Sequence, residues 1–229
     1  LMDIGGWTFY IVSIFFTYQY LESRDYKNLI WAGIAIGVGG LFKEYAFLAC
    51  IPIAVSLIYE YWQSPFGLIK KAIVPAMLAL LPTILVYAYV FEVFDYSYID
   101  WLSFNKGYYI YNSRIVEYIK SLGSLYNFMA PIILFGIYII IQSRKEMFVD
   151  KKIPVFIFGV LLSVLPIFFW PAITQRILFI TVPAMLLMAS FCLKKYEKYW
   201  WIFISVLILY TVSSFMMDSF ILPNLNLPF

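Results

Sequence analysis

The chain has 229 residues, of which 64% are hydrophobic, 21% aromatic and 13% charged, with a formal net charge of +3. A water-soluble domain of this size would expose large apolar patches, so the balance excludes a soluble globule and makes lipid the solvent. The absence of histidine removes the commonest metal ligand and general base, and leaves acid–base chemistry to carboxylates, Lys and Tyr.

A membrane span needs roughly 20 apolar residues, and only helices or closed barrels satisfy their backbone groups in lipid. Apolar runs of helical length lie near Trp7–Leu21, Leu29–Phe42, Tyr45–Trp62, Ala72–Phe91, Tyr126–Ile141, Ile153–Trp170, Ile177–Leu193 and Tyr199–Met217. The expected fold is therefore an all-α polytopic bundle of about eight transmembrane helices, forming a single transmembrane domain over residues 1–229. The second run carries Gly33, Gly37 and Gly40 on one face, a stripe that lets a neighbouring backbone approach closely. Pro75, Pro82 and Pro166 should kink their helices unless neighbours satisfy the carbonyls they free. Cys50 and Cys192 sit far apart inside apolar runs and read as small core residues rather than a disulfide or metal pair.

Alternate connections hold Arg24 and Lys27; Lys70 and Lys71; Arg144, Lys145, Lys151 and Lys152; and Lys194, Lys195 and Lys198, which is eleven of the sixteen cations. The positive-inside rule places these loops in the cytoplasm and both chain ends outside it. It also makes residues 92–126 a long extracytoplasmic loop. That loop combines Tyr and Trp residues with Glu92, Asp95 and Asp100, as an aromatic anchor belt does, or as does a surface holding a sugar by ring stacking and hydroxyl–carboxylate bonds. Within it Ile115, Val116, Ile119 and Leu122 oppose Arg114, Glu117 and Lys120, which predicts a short helix lying in the interface.

Ionisable groups beside spans are costly and become functional candidates. Asp3, Lys43, Glu44 and Arg176 all fall on the extracytoplasmic face in this topology. Cations there can clamp a phosphate, and a carboxylate beside them can orient a sugar hydroxyl or act as base. A solvated turn at Lys43–Glu44 and an interfacial anchor at Arg176 are the simpler alternatives.

The stretch Ala32–Ala46, ending Gly39-Gly40-Leu41-Phe42-Lys43-Glu44 and followed by Pro52, resembles the Gly/Ala-rich helix, terminal cation and Pro-containing helix of membrane-embedded GT-C glycosyltransferases. The likeness is to the lipid-A aminoarabinose transferases and protein O-mannosyltransferases of that group. Arg176 to Pro183 is similar to their late helix start, with Ile177 in place of an aromatic. Leu1-Met2-Asp3 resembles their "D-x-P" segment, with Gly5 near the usual proline. The resemblance implies sugar transfer from a polyprenyl-phosphate-linked donor to an extracytoplasmic acceptor of unspecified kind. It makes Lys43 and Arg176 the phosphate-binding cations and Asp3 a carboxylate of the donor pocket. Glu44, Asp95, Asp100 and Trp101 are the further candidates for sugar or acceptor contact. The family's main catalytic carboxylate is expected before Leu1, which makes this chain the C-terminal portion of a longer module. The partners are then the donor and membrane lipid, with no nucleic acid. No cofactor is predicted and no metal site is assigned, with divalent-metal assistance left open. A secondary transporter and a lipid-linked oligosaccharide ligase or polymerase are the competing readings. A transporter would call for paired halves with broken helices, which the sequence does not display.

Overall fold

The computed structural model describes residues 2–97, 99–100 and 151–166, together with positions 103, 138, 201, 204, 205, 208 and 212. Every regular element among the described residues is helical: α1 (Met2–Ser23), α2 (Tyr26–Phe42), a 3₁₀ helix (Glu44–Ala49), α3 (Cys50–Tyr61), α4 (Pro65–Phe94) and α5 (Lys152–Leu162). The stretches Glu44–Tyr61 and Pro65–Phe94 are long and apolar enough to cross a membrane. At 1.5 Å per residue α4 measures about 45 Å, more than the hydrocarbon core needs. With the composition, these helices make the chain a membrane protein. The expected runs at Tyr126–Ile141, Ile177–Leu193 and Tyr199–Met217 lie outside the described residues apart from isolated helical positions, and so does the interfacial helix near Ile115–Leu122.

α1 ends where Arg24 takes the left-handed conformation, φ 60°, and donates its N–H to the Tyr20 carbonyl at 2.8 Å. Asp25 then starts α2 as its N-cap, its Oδ1 accepting from the Lys27 N–H at 3.0 Å. That satisfies one of the orphan donors of the new helix. The tight connection sends α2 back along α1. The Phe9 and Phe42 rings stack at 5.8 Å near one end of the pair and Phe16 and Trp31 at 6.3 Å near the other. Between them the buried Ser13 hydroxyl donates to Phe9 O and meets Ala32 O.

α2 and α4 run parallel, and the glycine stripe sets their register. Backbone meets backbone where Gly33 faces Pro75 and Gly37 faces Leu78, while Gly40 faces the Thr83 side chain. This contact also accounts for an uninterrupted α4 despite Pro75 and Pro82 in its interior. A proline leaves the carbonyl four residues earlier without its helical donor, here those of Lys71 and Leu78. The Tyr26 hydroxyl of α2 donates to the Lys71 carbonyl at 3.2 Å. The Leu78 carbonyl is met by the Gly37 backbone, close enough that a Cβ on Gly37 would stand 2.3 Å from its oxygen, a position suited to a Cα–H···O contact. Both vacancies are thus covered by α2. Tyr26→Phe removes the hydroxyl from the first of them and is expected to cost about 1 kcal/mol. A lower unfolding midpoint in detergent checks this; an unchanged midpoint would mean that water serves that carbonyl instead.

α5 completes the described core. Its Phe156 lies 5.4 Å from the Tyr18 ring, its Gly159 abuts Pro52, and just past its end the Ser163 and Tyr10 hydroxyls hydrogen-bond at 2.5 Å. Within the apolar run expected over Ile153–Trp170, α5 ends at Leu162, and residues 167–170 lie outside the described residues. Pro166 has no N–H for the Leu162 carbonyl, which fits the end of α5 at that residue.

These contacts sort the helix termini into two ends. The Arg24–Asp25 and Trp62–Ser64 turns and the start of α5 share one end, joined by Glu60, which accepts from the Tyr20 hydroxyl and pairs with Arg24 at 2.5 Å. The first turn of α1, the Lys43–Glu44 junction and the last turns of α4 share the other. Among the described residues Arg24, Lys27, Lys70, Lys71, Lys151 and Lys152 stand at the first end, and Lys43 is the one cation at the second.

Candidate functional site

The second end gathers three of the candidate residues. α2 stops at Phe42, and Lys43 takes an extended conformation (φ −159°, ψ 140°) before the 3₁₀ turn opens at Glu44. Its N–H still bonds the Gly39 carbonyl and its carbonyl accepts from Ala46, so the backbone under the cation is fixed on both sides. The Lys43 ammonium lies 3.8 Å from Glu44 Oε1 and 5.7 Å from the Tyr45 ring centroid. The two side chains are 30% and 20% exposed.

α1 reaches this junction through paired glycines. A Cβ on Gly5 would meet the Phe42 ring at 2.6 Å, and one on Gly6 would meet Lys43 Cβ at 2.7 Å. The absence of both side chains lets the first turn of α1, where Asp3 stands, lie against the root of Lys43. The glycine found where a proline is usual in the resembling segment thus has a packing reason.

From the third side α4 contributes residues that sequence reading missed. Thr83 is 5% exposed, and its hydroxyl oxygen is buried opposite Gly40 with no hydrogen-bond partner among the described residues. One turn further on, Tyr87 comes within electrostatic reach of Glu44. No local pattern marks either residue, because both become relevant only through the α2–α4 register.

Asp95 and Asp100 lie beyond this level, where α4 ends. Asp95 is the left-handed C-cap of α4, φ 49°, with its N–H on the Phe91 carbonyl. Asp100 belongs to a reciprocal capping box with Ser97. Its carboxylate accepts from the Ser97 N–H at 2.9 Å and from the Ser97 hydroxyl at 2.6 Å, while the Asp100 N–H bonds Ser97 Oγ at 3.2 Å. These bonds hold the Asp100 carboxyl below the usual carboxylate range. Both aspartates have local structural employment. Arg176 and Trp101 lie outside the described residues.

Chemically, the junction offers an ammonium loosely held by one carboxylate. A partly exposed pair at 3.8 Å contributes at most about 1 kcal/mol, so an arriving phosphate oxygen competes well for Lys43 and releases Glu44 to accept from a hydroxyl. An apolar cleft elsewhere, between α2, α3 and α4, is lined by residues such as Ile36, Cys50, Ile53 and Ala79 and supplies no such group.

Residues 2–89 match the family model for dolichyl-phosphate-mannose-protein mannosyltransferase. The match takes in α1, α2, α3 and most of α4, the helices that assemble the Lys43 junction. No curated protein and no solved structure matches the chain.

Proposed function

We propose, on the premise that this chain belongs to the GT-C superfamily of membrane glycosyltransferases, that it transfers a sugar from a polyprenyl-phosphate carrier to an acceptor at the extracytoplasmic face. The observation that carries this reading is that the family match and the Lys43 junction coincide: the matched helices bring the Asp3 turn, Lys43 and Glu44 to one end. Lys43 grips the donor phosphate, with Arg176 as the second cation. Asp3 and Glu44 serve sugar or acceptor hydroxyls. Attack at the anomeric carbon transfers the sugar to the acceptor oxygen and leaves charge on the departing phosphate, where a fixed cation stabilises it most. The gathering of basic residues at the opposite end supports an extracytoplasmic location for this junction, within a multi-pass bundle of about eight helices.

The test offers the intact protein in liposomes a labelled sugar on a polyprenyl phosphate or on a nucleoside diphosphate. The expected result is transfer from the polyprenyl donor alone. Equal use of the nucleotide donor, or turnover of neither with every acceptor class supplied, overturns the reading.

A further inference from the structure

The end of the molecule opposite the candidate site carries a second constellation that sugar transfer does not use. Tyr26, at the start of α2, bonds the Lys71 carbonyl at 3.2 Å, and the Lys71 ammonium folds back over the Tyr26 ring at 4.6 Å. This double contact ties the N-terminal part of α4 to the residue next to Lys27. Counted back from the Gly33–Pro75 contact at 1.5 Å per residue, Lys27, Lys70 and Lys71 all fall within about 6–9 Å of one level. Lys27 and Lys70 are exposed and Lys71 is half-buried, and none of the three forms an ion pair among the described residues. Nearby carboxylates are engaged elsewhere: Asp25 caps α2, Glu22 accepts from Tyr18, and Glu60 pairs with Arg24.

Beside these cations, Trp62 and Phe66 are 77% and 81% exposed, rings of the kind that settle at headgroup depth. Phe66 and Lys70 are one turn apart and share a face of α4. From there Ile69, Ile73, Met77, Leu81 and Ile84 continue as an exposed apolar stripe up the same helix, about 22 Å long. A basic rim, aromatic residues at its level and an apolar track leading away from it match the parts of one molecule, an anionic phospholipid. The geometry points to a binding site for such a lipid, its phosphate held by Lys27, Lys70 and Lys71 and an acyl chain lying along α4. The ammonium of Lys71 is already positioned by Tyr26, so little side-chain freedom is lost when the headgroup arrives. The site stands on the described helices alone and is independent of the transferase reading.

Native mass spectrometry of the intact protein, titrated with phosphatidylglycerol or phosphatidylcholine of matched chains, tests it. Wild type is expected to retain phosphatidylglycerol preferentially, and each lysine neutralised among K27Q, K70Q and K71Q to reduce that retention about fivefold. Inorganic phosphate should not displace the lipid, since it lacks the chain. Equal retention of the two lipids by wild type, an undiminished preference in the triple variant, or displacement by inorganic phosphate overturns the proposal. Should the triple variant fail to accumulate, the wild type in vesicles decides. The fluorescence component lost in W62F should be quenched more by brominated phosphatidylglycerol than by brominated phosphatidylcholine, and equal quenching overturns the proposal in the same way.

Discussion

Lys43→Gln is expected to reduce kcat/KM for a polyprenyl-phosphate sugar about 30- to 100-fold while leaving the unfolding free energy within about 1 kcal/mol of wild type. The two magnitudes come from different interactions. What the folded protein loses is a partly exposed ion pair with Glu44 at 3.8 Å, a class of contact worth little. What the reaction loses is a charge-assisted bond to a phosphate, worth about 2–3 kcal/mol. The departing phosphate carries more negative charge in the transition state than in the bound donor, so the loss should fall more on kcat than on KM. Lys43→Arg keeps the charge, and its Cβ and backbone remain seated against Gly6, so it should recover much of the rate. Steady-state kinetics on the three proteins, with a melting curve for each, separate the cases. Unchanged kcat/KM in Lys43→Gln would remove the phosphate role from this residue. A large fall in stability would instead assign Lys43 to packing.

The elements that local pattern makes visible are legible in the sequence. Gly33, Gly37 and Gly40 recur on one helical face, and that is the face α4 occupies. Lys43 and Glu44 interrupt an apolar run, and the chain turns there. The condition attached to Pro75 and Pro82, that neighbours meet the freed carbonyls, was also readable, but the neighbours were not. Tyr26 looks like any interfacial tyrosine until the α2–α4 register sets it against Lys71. The same holds for Gly5 and Gly6, whose use depends on Phe42 and Lys43 arriving opposite them, and for Thr83 and Tyr87. The run at Tyr45–Trp62 reads as one helix, yet its start, through Ala49, is 3₁₀ and packs Tyr45, Ala46 and Ala49 into the core. Periodicity reports which face of a helix is apolar; it does not report which residues of another helix meet that face, and a site made from three helices depends on the second kind of information.

Gly37→Ala should be the most damaging single-carbon change in the described core, costing about 2–3 kcal/mol. Two effects oppose each other at this position. Alanine is the better helix former by about 1 kcal/mol, and on an exposed face that gain would prevail. Here the added Cβ would stand 2.3 Å from the Leu78 carbonyl oxygen and 3.1 Å from Pro82 Cγ. The nearer atom is backbone in a helix and cannot step aside alone, so α2 and α4 must separate. Separation loosens packing along the whole stripe and also uncovers the carbonyl that Pro82 left without its helical donor, adding a polar cost to the steric one. Gly40→Ala provides the control. Its Cβ would meet Phe47 Cζ at 2.6 Å and Thr83 Oγ1 at 2.8 Å, both side-chain atoms that rotate away, so the cost should be about 1 kcal/mol or less. Reversible unfolding of the three proteins in mixed micelles gives the order. A Gly37→Ala protein as stable as wild type, or less affected than Gly40→Ala, would show that α2 and α4 are not in backbone contact at this level. Because α2 carries Lys43 at its end, the same separation should lower sugar transfer in Gly37→Ala even at temperatures where the protein remains folded, although residue 37 is two turns from the junction.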